Sequence, residues 1–197
     1  MSDYRSFALV SAALHALVQA AAADALPGAT VRIGPPRGPE PGPTAISLTL
    51  YHHAANAAFR AADLPARDPG GARARRPPLA FDLHYLIAIA SDQPLAGELL
   101  LGRLATAFAA QPVLARDALA GVVASGVWPA LAGIVVSQQA ETIRIIPAYP
   151  VPDAVAALWP GLFQLPRQPS LHLVVSPVMI AFDNAPLPPL PVRRREP

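Results

Sequence analysis

Asp82 and His84 are the two residues of this chain best spaced to do chemistry. Alternate side chains of a β-strand share a face, so on a strand these two would stand side by side. A carboxylate beside an imidazole can orient a general base or help to hold a metal ion. No nucleophile or third ligand lies near them in sequence, however. Polar residues on a less buried sheet face, or at a subunit contact, give the same pattern. His52 and His53 are neighbours on a second predicted strand and would point to opposite faces, so they cannot chelate one ion without distortion. His15 and His172 have no partner at ligand spacing.

Phosphate-binding loops are missing from the pattern. The run from Gly34 to Gly42 is broken by prolines, which lack the N–H groups such a loop needs. Gly70-Gly71 reads as a flexible turn between charged residues. Arg60, Arg67, Arg73, Arg75 and Arg76 form a denser charge cluster, opposed within 60–76 only by Asp63 and Asp68. Such a loop could clamp an acidic partner, although a charge run is more often a solvated face. No aromatic residue is interleaved in the Arg-rich part to stack on a base, so a protein partner fits better than nucleic acid. The tail carries Pro188-Pro189-Leu190-Pro191-Val192-Arg193, a polyproline II pattern of the kind that docks in aromatic grooves. In a chain with 25 prolines that pattern also arises by chance.

These residues need elements to hold them. Phe7, Val10, Leu14, Leu17 and Ala21 recur at steps of three and four, which predicts an amphipathic helix over 3–26 stopped by Pro27-Gly28. Residues 34–43 are a loop. Ile46 to His52 alternates, with Ser47, Thr49 and Tyr51 on the more polar side, and predicts a half-buried strand. A helical turn at 54–62 and an extended loop to 77 follow. Pro78 to Ala90 is the clearest strand, with Leu79, Phe81, Leu83, Tyr85, Ile87 and Ile89 on one face. Asp92-Gln93-Pro94 is expected to open a helix to about Gln111, with Leu100, Leu104, Ala107 and Phe108 inward. The stretch Ala118–Ala140 carries no charge. Its glycines, serines, Pro129 and terminal glutamines favour a hydrophobic loop or short buried helix over a membrane span. Thr142 to Ile146 predicts a short strand. A helix opens at Pro152 and Asp153, carries Val155, Leu158 and Trp159, and is interrupted at Pro160. Ser170 to Phe182 predicts a last long strand, in which Pro177 demands an edge or a bulge. The reading is α+β: one domain over 1–184 with a mixed or antiparallel sheet and helices packed on it, then a Pro/Arg-rich flexible tail over 185–197.

Composition narrows the function classes. All 15 basic residues are arginines, and net charge is only +2, too little for a general nucleic-acid binder. There are no cysteines, which excludes disulfide frameworks and Cys-based metal or redox sites. The mixed charge and helical pattern near the N-terminus do not read as a secretory signal.

The pieces LYHHAANAAFR, ADLPARD, RPPLAFDLHYLIA, ELLLGRLATAFAAQPVL, IRIIPAYPVPDAVAALWPGL and LHLVVSPVMIAFD occur in that order across most of the chain. Together they resemble the N-terminal domain family of the cap, or tube-terminator, proteins of extracellular contractile injection systems. These are the phage-tail-like particles of the Photorhabdus virulence cassette and antifeeding-prophage type. The resemblance implies a fold like that of phage tail terminators and a structural, non-enzymatic bacterial protein with no cofactor and no metal. It implies a homohexameric ring on the distal end of the inner tube that stops tube growth and contacts the last sheath ring. Partners would be the protein itself, the tube protein and the sheath protein, with no nucleic acid and no membrane. Synthesis and assembly would be cytoplasmic, and the released particle extracellular. Candidate assembly-interface residues are Tyr51, Asn56, Arg60, Arg67, Arg73, Arg75, Arg76, Asp82 and His84. Two features depart from the family pattern: Pro160 directly after Trp159, where the family continues its helix, and the uncharged stretch after Asp117. The tail beyond Asp183 lies outside the resemblance.

Two other readings compete. One is a non-catalytic adaptor that binds a protein through the Arg-rich loop or the tail. The other is a metal-dependent hydrolase using Asp82 and His84.

Overall fold

The computed structural model describes residues 4–38, 42–59, 78–136, 142–148, 150 and 157–180. Helix α1 (Ser6–Ala25) follows the three-and-four spacing of its apolar residues, and Leu9, Val10, Leu14 and Val18 are buried along it. By length and composition it could cross a membrane, but ten of its residues are buried within the fold. The chain turns at Pro27-Gly28, where Gly28 takes φ +93°, and enters β1 (Thr30–Ile33). This strand was not expected. It is four residues long, with an arginine between its apolar positions, which is too little pattern to register as alternation.

Strand β2 (Ala45–Ala55) pairs parallel with β1 and antiparallel with β3 (Leu79–Ala90). The sheet continues through β6 (Ser170–Ile180) to β5 (Ile143–Ala148) and the two-residue β4 (Val113–Leu114). The order is β1-β2-β3-β6-β5-β4, and every pairing except the first is antiparallel. This is the expected α+β class with a mixed sheet. The long strands form where sequence alternation is strongest, and Leu83, Tyr85, Ile87 and Ile89 of β3 are all buried on one face.

Helices α1, α2 (Ala96–Ala110) and α3 (Arg116–Ala124) share one core with that face. Helix α2 starts later than expected. The Ser91 hydroxyl accepts the Gln93 N–H at 3.1 Å, and Leu95 takes φ 65°, so Pro94 lies in a turn before the helix rather than in its first turn. Leu100, Leu104 and Phe108 point inward as expected, with Ala107 half-buried beside them. Gly97 lets α2 approach the start of β6: a Cβ there would lie 2.9 Å from the Pro169 ring.

The uncharged stretch begins within α3 and runs through a 3-10 turn at Pro129–Leu131. Leu119 and Leu131 are buried in the main core, Trp128 stacks edge-on against His15 at 5.5 Å, and the Arg5 guanidinium donates to the Ala132 carbonyl. A short helix is therefore present but not buried: Leu119 is the one buried residue of α3, and the rest of the helix is half-buried or exposed where it lies against α1.

Beyond the sheet's opposite face lies a π-helical turn, Trp159–Phe163, whose Trp159 packs on Leu86 and Ala88. Pro160 does not end this segment. It has no N–H to give an α-helical bond, and the wider turn instead closes with the N–H groups of Gln164 and Leu165 on the Trp159 carbonyl. Residues 151–156, where Pro152, Asp153 and Val155 were read as helical, lie outside the described residues, as does the tail.

Candidate functional site on the open face of the sheet

Two irregularities set the polar face. The first is a bulge in β2. Leu50 pairs with Tyr85 and His52 with His84, so Tyr51 is the extra residue. A bulge of this kind rotates the strand beyond it. Tyr51 and His52 consequently share one side: the His52 and His84 rings are 5.1 Å apart, and Tyr51 lies 6.2 Å from His84 and 5.8 Å from His172. His53 turns to the helical side, against Phe7 at 6.0 Å and Phe81 at 6.0 Å. The expectation that His52 and His53 diverge holds.

The second bulge is in β6. Phe81 pairs with Val178 and Leu83 with Val175, so Ser176 and Pro177 together face Asp82. The strand carries Pro177 at this bulge, beyond the last β5 pairing at Ser176, in keeping with the demand that proline makes of a strand. The Ser176–Pro177 peptide is cis.

This bulge presents the Ser176 hydroxyl to Asp82. Asp82 Oδ1 accepts from Ser176 Oγ at 2.5 Å and from Asn56 Nδ2 at 2.6 Å, and Asn56 Nδ2 also lies 2.9 Å from Ser176 Oγ. Asn56 in turn accepts the Ala58 N–H on its Oδ1 at 3.0 Å, and its own N–H donates to the Ala80 carbonyl. Three strands are thus knotted at the point where β2 ends. The knot closes a 3-10 turn at 57–59, directly before the Arg-rich segment; of the helical turn expected over 54–62, residues 54–55 belong to β2 and residues 60–62 lie outside the described residues. Asp82 is occupied by neutral donors and does not hydrogen-bond the His84 ring.

Of the residues singled out from sequence, Tyr51, Asn56, Asp82 and His84 therefore meet on one face. Arg60, Arg67, Arg73, Arg75 and Arg76 lie outside the described residues. Sequence reasoning missed His52, His172 and Ser176 as members of the group. Strict alternation puts His52 on the wrong side, and only the bulge corrects it. His172 and Ser176 come from a strand far along the chain, with no local signal tying them to Asp82.

The electrostatics of the face are those of burial. His84 is pushed below its usual pKa first by burial and then by His52, with Asp82 opposing. His172 is pushed down by burial and by Arg167, and burial raises the Tyr51 phenol. Both His172 nitrogens and the Trp159 indole nitrogen are buried without a hydrogen-bond partner among the described residues. Among the described residues no group of three or more His, Cys, Asp and Glu is arranged to hold a metal ion. A separate cavity of about 380 Å³ between the end of α2, Pro147-Ala148 and the start of β6 is mainly apolar, with Arg167 at its wall.

The architecture is a bulged sheet with three helices on one face and a polar knot on the other, and the family profile of the Pvc16 N-terminal domain matches residues 9–194. The chain belongs to the Pvc16 N-terminal domain family. Two solved structures share its fold. One is the sheath/tube terminator in the extended state of an extracellular contractile injection system, PVC. It aligns with a TM-score of 0.59 and 18% identity over 96% of this chain and 61% of that one. The other is the tube-terminating cap of the anti-feeding prophage, with a TM-score of 0.57 and 19% identity over 95% of this chain and 59% of that one. This Pvc16-family chain thus spans about three fifths of the length of each terminator. No curated protein matches it.

Proposed function

We propose that this protein is the tube-terminating cap of a phage-tail-like contractile injection system. The observation that carries the reading is the fold shared with two tube terminators along nearly the whole chain, within a family match over 9–194. The cap forms a homohexameric ring on the distal end of the inner tube and contacts the last sheath ring. A closed ring of this kind needs a head-to-tail interface. The polar face supports that role better than catalysis, because Asp82 is engaged in tying strands together. The Asn56–Asp82–Ser176 knot anchors the scaffold beside the segment carrying Arg60, Arg67, Arg73, Arg75 and Arg76. These arginines contact an acidic surface of the neighbouring subunit or of the tube. Assembly occurs in the cytoplasm, and the cap leaves the cell with the particle.

Electron microscopy of particles from cells with and without the gene tests this. Six copies at one tube end, and tubes of uncontrolled length in the deletion strain, are the expected result. A monomer that is absent from tube ends, with tube length unchanged by the deletion, would refute it.

A further inference from the structure

The Tyr51 bulge and the strand pairing bring two imidazoles, His52 and His84, side by side. The two residues sit directly opposite each other on antiparallel strands, and they do so only because the Tyr51 bulge re-aims His52. Neither imidazole has a hydrogen-bond partner among the described residues, although His84 is half-buried. The ring spacing is informative. With an imidazole nitrogen about 2.0–2.1 Å from Zn²⁺, each ring centre lies about 3.2 Å from the ion, and two rings at a tetrahedral angle stand about 5.2 Å apart. The observed separation is 5.1 Å. Other ring pairs on the same strands, His52–His53 at 6.4 Å and Tyr51–His84 at 6.2 Å, are too far apart for a shared ion. Like charges on the two rings would repel at this distance, whereas a cation bridging neutral rings turns the close approach into an attraction.

We propose that His52 and His84 form a two-imidazole site for a divalent transition cation, Zn²⁺ by its tetrahedral spacing. The two remaining positions open toward solvent on the free face of the sheet and are filled by water. Imidazole nitrogens select this class over Mg²⁺ or Ca²⁺, which take oxygen ligands, and the nearby Asp82 carboxylate is already engaged by Asn56 and Ser176. The site ties β2 to β3 at the bulge. It is independent of the tube-terminating role and stands or falls on the isolated chain.

Titration of the full-length, tag-free protein with zinc chloride in a calorimeter is the test. One Zn²⁺ per chain is expected. His52→Gln and His84→Gln should each weaken binding at least tenfold, since loss of even an outer-shell partner costs about 10–100-fold. The thermal midpoint of the wild type should rise with Zn²⁺ and that of both variants should not. Absence of binding, or a change below tenfold in either variant, overturns the proposal. Imidazole nitrogen NMR of the wild type provides a reading free of mutation. His52 and His84 must shift together on Zn²⁺ addition, and shifts confined to other histidines overturn the site.

Discussion

Cutting the Asn56–Asp82 contact isolates the contribution of the knot. Asp82→Ala removes an acceptor that takes hydrogen bonds from Asn56 at 2.6 Å and Ser176 at 2.5 Å. Hydrogen bonds to a charged group each contribute about 1.5–3 kcal/mol. All three residues are only part-buried, so water can satisfy the abandoned amide and hydroxyl. The lower end of the range applies, and about 2–3 kcal/mol is expected for Asp82→Ala. Asn56→Ala loses one bond to Asp82, one to Ser176 and the Ala58 N–H contact, again about 2 kcal/mol. Because the two residues share a bond, the double variant should cost less than the sum by about 1–2 kcal/mol. For a chain of this size 1 kcal/mol lowers the midpoint by about 2–4 °C, so Asp82→Ala should melt about 4–12 °C lower. Urea titration of the four members of the cycle, with the slope unchanged, gives the coupling. Additivity within about 0.5 kcal/mol would refute the view that the knot acts as one unit.

Three further outcomes follow from the packing. Tyr85 is fully buried with its hydroxyl 2.8 Å from Ser11 Oγ, and burial pushes its pKa up to about 12 against the opposing pull of that hydrogen bond. Its stabilisation is complete below pH 10 and is lost as pH rises from 10 through 12. In a chain without lysine or cysteine, Tyr85→Phe should visibly flatten that alkaline loss in pH-dependent unfolding. The two glycines of α2 should respond in opposite directions. Gly97→Ala drives a methyl into the Pro169 ring and should destabilise by about 1–2 kcal/mol. Gly102→Ala meets nothing within 4 Å and should stabilise by up to about 1 kcal/mol, both read by thermal melting. The acid limb carries a third signature. His172 is buried neutral below its usual value of 6.5, so its contribution is complete above pH 6.5 and falls away as pH drops beneath it. His172→Phe should reduce the loss of stability between neutral pH and pH 5, measured by urea midpoints.

The long strands were legible because their apolar residues alternate over enough positions to exceed chance, and the core faces of α1 and α2 followed the same logic at helical period. Strands β1 and β4 were not, since two to four residues carry too little periodicity. The polar face was half legible. Asp82 and His84 share a face by alternation alone, but both bulges break that rule, and they decide where His52 and Ser176 point. Pro177 announced the second bulge, while nothing about Tyr51 announced the first. Pro160 signalled an interruption, and the α-helical residues 157–158 do give way there to the π turn Trp159–Phe163, a form that the sequence did not suggest.

The central pairing of the sheet joins β3 to β6, with Leu79 opposite Ile180 and Ala88 opposite Ser170. Those partners emerge from the ribosome far apart in time. At synthesis rates of about 5–20 residues per second, several seconds separate them, during which β3 has β2 on one side and a vacant edge on the other. Contacts this distant in sequence also slow the folding search itself. The sheet cannot be completed until β6, which ends at Ile180, has been made, so products truncated before it should be the ones that aggregate.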